Sequence, residues 1–102
     1  DLNQIFIKKS NITERNIANT ILLLPYNPEA LKDKALYELS SETARFIWNL
    51  IDGKNTTGRI IKQVSDEFSS DTTTLERDVK QFIHKLKKAE LIEEIPSKNA
   101  PN

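Results

Sequence analysis

Between residues 5 and 39 the apolar positions come in short bursts, and between residues 41 and 92 they recur at spacings of three and four. The first rhythm belongs to strands, whose side chains alternate between two faces, and the second to amphipathic helices with one buried stripe. The chain therefore reads as β first and α second. Ile5-Phe6-Ile7 and Thr13 to Ala18 are half-buried extended pieces joined by Ser10-Asn11, and Thr20 to Leu24 is the clearest strand. Pro25 ends that strand, because proline has no N–H to give to a ladder. The polar stretch "YNPEALKDK", residues 26 to 34, carries Pro28 and reads as a loop with room for a hairpin excursion. Ala35 to Leu39 then alternates, with Leu36 and Glu38 toward one face and Ala35, Tyr37 and Leu39 toward the other, as in a strand with one face on a core.

The helical half is punctuated by capping residues. Ser40-Ser41-Glu42-Thr43 offers a hydroxyl to the orphan N–H groups of a first turn, so the first helix starts near Glu42. Ala44, Ile47, Trp48 and Ile51 form its stripe, Phe46 and Leu50 widen it, and Asp52-Gly53 reads as its turn and exit. A second helix begins at Thr56 or Thr57 and buries Ile60, Ile61, Val64 and Phe68. Asp71 or Thr72 caps a third, with Leu75, Val79, Phe82, Ile83 and Leu86 on its stripe. Leu91-Ile92 returns to an extended apolar piece. The division predicted is one domain over residues 5 to 95 and a polar tail from 96 to 102, "PSKNAPN", expected to be disordered. A small three-stranded N-terminal antiparallel sheet followed by three helices has the proportions of an α+β winged helix-turn-helix.

Composition narrows the chemistry. A chain of 102 residues supports one modest core, since a domain of about this size buries roughly two thirds of its unfolded surface. Fifteen basic residues balance fifteen acidic ones, so no global field draws the chain to nucleic acid or an anionic membrane. There is no Cys, which excludes disulfides, thiolate metal sites and cysteine nucleophiles and suits a reducing cytoplasm. The longest apolar run, Ile21 to Leu24, cannot span a membrane. The chain starts on Asp rather than Met, as expected of a trimmed or excised piece. His84 has no second His and no nucleophile beside it, and two glycines make no phosphate-binding loop, so neither an enzyme nor a cofactor is expected.

The order Tyr37-Glu38-Leu39, Glu42-Thr43-Ala44, Ile47-Trp48, Leu50-Ile51-Asp52-Gly53, Ile60-Ile61, Asp78-Val79, Phe82, Leu86 and Leu91-Ile92 resembles the PqqD-like proteins, also called RiPP recognition elements. The resemblance covers roughly residues 6 to 95, and Ser40 stands where the family usually has Asn, another capping residue. It implies a module that binds the leader segment of a ribosomally made precursor peptide by adding it as a strand beside the last helix. The partner implied is a separate modifying enzyme, such as a radical-SAM enzyme, or a leader peptidase or cyclase. The resemblance places the edge at Ala35, Leu36, Tyr37, Glu38 and Leu39. The groove wall is expected on the flank of the third helix with Asp78, Gln81, Phe82 and Lys85.

Plainer readings stand beside these. Tyr37 fits a half-buried packing residue, Asp78 suits the dipole of a helix start, and Lys85, Lys87 and Lys88 suit a helix C-terminus. The competing function is a DNA-binding winged-helix regulator, but Lys62, Gln63, Arg77, Lys80 and Gln81 are offset by Asp66, Glu67, Glu76 and Asp78. Homodimer formation through the open edge stays open.

Overall fold

The computed structural model describes residues 2–25, 36–69 and 71–96. Six strands and three helices fall in them, in the order β1 Ile5–Lys8, β2 Ile12–Ile17, β3 Thr20–Pro25, β4 Tyr37–Leu39, α1 Glu42–Leu50, β5 Asp52–Thr56, α2 Thr57–Phe68, α3 Thr72–Lys88 and β6 Ile92–Ile95. They form two antiparallel three-stranded sheets, β2-β3-β4 and β5-β1-β6, around a helical layer. The loop expected at 26–34, Ala35 and the tail beyond Pro96 lie outside the described residues.

Each helix starts on a side-chain cap. Ser41 Oγ accepts from Ala44 N at 3.0 Å, Thr56 Oγ1 from Arg59 N at 3.1 Å, and Asp71 Oδ2 from Thr74 N at 3.4 Å. These are the serine, threonine and aspartate that the sequence marks as helix starts. At the other end of α3, Glu90 takes a left-handed φ of 62°. The Glu90 N–H then reaches Lys87 O and the Leu91 N–H reaches Leu86 O, both at 3.0 Å, a Schellman closure that turns the chain into β6.

Two expectations need correction. Asp52-Gly53 is not simply the turn that ends α1. The helix closes at Ile51, whose N–H donates to Trp48 O at 3.1 Å, and Asp52 opens β5, with Gly53 at φ 80° inside it. The polar segment "DGKNT" has little strand preference of its own; pairing of Ile5 with Thr56 and Ile7 with Asp52 supplies the strand. The first strand, in turn, is not part of the N-terminal sheet: β1 pairs with β5 on one side and β6 on the other, so the wing is built from both ends of the chain and its middle.

One core joins the sheets. Phe6 from the wing, Ile21, Leu23 and Leu39 from the β2-β3-β4 sheet, and the helical stripes containing Trp48, Ile60, Val64, Val79 and Leu86 form a single buried cluster. Trp48 is only 1% exposed, as a core anchor should be. Phe46 and Phe68 pack against this cluster and meet each other edge to face, their ring centroids 5.5 Å apart.

Candidate functional site

Strand β4 lies at the border of its sheet. It pairs Leu39 with Ile21, Glu38 with Leu22 and Tyr37 with Leu23. Among the described residues its other edge has no strand beside it. Opposed residues of an antiparallel pair share a face, so Tyr37 and Leu39 look inward with buried Leu23 and Ile21, and Glu38 looks outward. Leu39 is 2% exposed, Tyr37 is half-buried against the core, and Leu36, just ahead of the strand, is 51% exposed.

The end of β4 is held by a residue that sequence reasoning passed over. Arg45 Nη1 donates to Ser40 O at 2.6 Å and to Asn19 O in the β2-β3 turn. One guanidinium thus ties the hairpin turn to the β4-α1 junction and fixes the border strand to the first helix. The run "YELSSETARFIW" hints at this only through a single basic residue in the first turn of the helix.

Helix α3 has two different flanks. Ile83, Lys80, His84 and Lys87 line a cleft of about 200 Å³ with Gln4, Phe6 and Thr57, and Lys87 Nζ is 4.0 Å from Glu94 on β6. That flank is engaged by the wing sheet. Of the four predicted wall residues, Phe82 is half-buried against the core, whereas Asp78, Gln81 and Lys85 are exposed. Asp78 is 4.0 Å from Arg77, and Gln81 borders a shallow depression with Thr73, Arg77 and Lys80, so it stands apart from Phe82 on the outward face.

Among the described residues no group of three or more His, Cys, Asp or Glu is placed to hold a metal ion. No helix among them is long and apolar enough to cross a membrane. The fold shifts the titration of Asp52. Partial desolvation pushes its carboxyl upward, but the N–H groups of Asn55 and Lys54, with the Lys54 ammonium, outweigh that and hold it below its ordinary value.

A helical layer between a small sheet, whose β4 border has no strand beside it among the described residues, and a wing defines a winged-helix domain. The chain belongs to the PqqD family: the model of coenzyme PQQ synthesis protein D (PqqD) matches residues 30–92. A solved structure, TbiB1 in complex with the TbiA(beta) leader peptide, is similar with a TM-score of 0.69 at 23% identity, covering 85% of this chain and 94% of that one. This likeness establishes the shared fold. Comparison with curated proteins returns no match.

Proposed function

We propose that this chain binds the leader segment of a ribosomally synthesised precursor peptide by strand addition to β4 and presents it to a separate modifying enzyme or leader peptidase in the cytoplasm. The observation that carries the reading is the border of β4, which has no strand beside it among the described residues, is held in place by Arg45 and is backed by an apolar inner face. An open edge is a liability that folds usually blunt, and one kept beside a helical layer offers main-chain hydrogen bonds for affinity and side-chain pockets for selection. Phe82 on the flank of α3 away from the wing, with Asp78 and Lys85 beside it, is the wall we assign to the groove. TbiB1, a protein of the same fold held in complex with a leader peptide, supports this direction. Holding the leader raises the local concentration of the core peptide at an enzyme without any catalytic group here.

DNA binding fits less well, because three basic side chains of α2 and α3 lie beside acids and the net charge is zero. Lys62 lies 3.6 Å from Asp66, Lys80 3.0 Å from Glu76, and Arg77 4.0 Å from Asp78. The testing experiment is amide exchange with and without a leader peptide. Slowed exchange over residues 37–39 is expected, and protection confined to α2 would place the site elsewhere.

A further inference from the structure

The β2-β3-β4 sheet has two borders among the described residues, and the longer one is not the one assigned to the peptide. Strand β2 has six residues, exposed from Thr13 to Ile17, whereas β4 has three. By length alone β2 is the better template for an incoming strand. Its side chains argue otherwise. The register aligns two rows across the inner face of the sheet: Glu14, Leu23 and Tyr37 in one, Asn16, Ile21 and Leu39 in the other. Both rows are polar at the β2 end and apolar at the β4 end.

Glu14 is fixed in this position. Its Oε1 accepts from the indole N–H of Trp48 at 2.9 Å, and its Oε2 accepts from Asn16 Nδ2 at 3.5 Å. A strand added to β2 must set its inward side chains beside this anchored carboxylate and strip water from it, whereas one added to β4 meets Tyr37 and Leu39. We propose that the Glu14-Asn16 pair closes the β2 border, directing an incoming strand to β4 and keeping two copies of the chain from pairing through β2. The steering half rests on the strand-addition reading above; the self-pairing half does not.

The test uses the whole chain with Glu14→Val/Asn16→Val, two β-formers that make the inner face of β2 apolar. Sedimentation without peptide is expected to show self-association at least about tenfold tighter than wild type, with slowed amide exchange over residues 13–17. With a synthetic leader peptide in excess, stoichiometry should rise from one toward two per chain. Glu14→Gln, which keeps an acceptor for Trp48 and removes the charge, carries the same test if the double variant does not fold, with a smaller shift in the same direction. Folded variants that associate no more than wild type, with unchanged exchange at 13–17, would overturn the proposal. A wild-type chain that binds no leader while the variants still self-pair would sink the leader reading and leave the closed border standing.

Discussion

The indole N–H of Trp48, on α1, donates to Oε1 of Glu14, on β2, at 2.9 Å. The same ring has the ammonium of Lys8, from β1, 4.8 Å from its centroid. One side chain thus joins the helical layer to both sheets. Trp48→Ala is expected to destabilise by roughly 3–5 kcal/mol, as large-to-small aromatic changes in cores do. Against a total of about 5–15 kcal/mol that is enough to unfold a marginal domain. Trp48→Phe keeps most of the packing and gives up the hydrogen bond, an effect of about 1 kcal/mol. Urea unfolding of the two variants separates packing from polar contact; a Trp48→Ala chain as stable as wild type would remove Trp48 as the anchor.

Glu90 holds a conformation that suits glycine. Its φ of 62° closes the Schellman turn after α3, and a left-handed residue with a Cβ costs roughly 1–2 kcal/mol. Its ion pair with Lys9, at 3.9 Å and with Glu90 largely exposed, is worth little in return. Glu90→Gly is therefore expected to raise the melting temperature by several degrees, at roughly 4–8 °C per kcal/mol for a domain of this size. A fall would mean that the ion pair or the added chain entropy outweighs the relieved strain.

Asp52 sets a pH dependence whose sign is fixed by its environment. Its folded-state carboxyl lies below the unfolded value, because Oδ1 accepts from Lys54 N at 2.9 Å and Asn55 N at 3.0 Å. A depressed acid stabilises the fold above the unfolded carboxylate value of about 3.9 and loses that contribution as pH falls through the folded value. Asp52→Asn retains an acceptor for the two N–H groups without the titration. Thermal melts from neutral to strongly acidic pH should show wild type losing its advantage over Asp52→Asn below about pH 4. Parallel curves for the two proteins would assign the acid loss to other groups.

Local signals were legible and non-local ones were not. Ser41, Thr56 and Asp71 act within three residues of themselves, so capping shows in the sequence, and so does the inward face of Tyr37 and Leu39. Strand β5 was hidden because its polar residues become a strand only through β1, some 45 positions earlier in the chain. The same applies to Arg45 reaching back to Asn19 and to Glu14 meeting Trp48: a charged residue carries no mark in the sequence of the distant partner it finds in the fold. The helical wheel did separate the Asp78 and Lys85 side of α3 from the Lys80 and Lys87 side. It carried no information on which side the wing would take.

That separation gives the sharpest expectation for leader binding. Lys80 and Lys87 line the cleft against Gln4 and Phe6, and each has an acid near it, Glu76 at 3.0 Å and Glu94 at 4.0 Å. Asp78 and Lys85 flank half-buried Phe82 on the other side and are exposed. At 1.5 Å per residue they stand about 10 Å apart along the helix, close to the span of three residues of an extended strand. A leader lying beside β4 with an apolar side chain over Phe82 would meet opposite charges at its two ends. Reversing both, Asp78→Lys with Lys85→Glu, keeps net charge constant and should weaken an affinity expected in the micromolar to nanomolar range, about −8 to −12 kcal/mol, by tenfold or more. Thermal stability should stay within a degree or two, because neither side chain is buried. Titration calorimetry on this variant and on one with Lys80→Glu and Lys87→Glu decides the orientation: greater loss in the second pair would put the groove on the wing side of α3 and overturn the assignment of Asp78, Phe82 and Lys85.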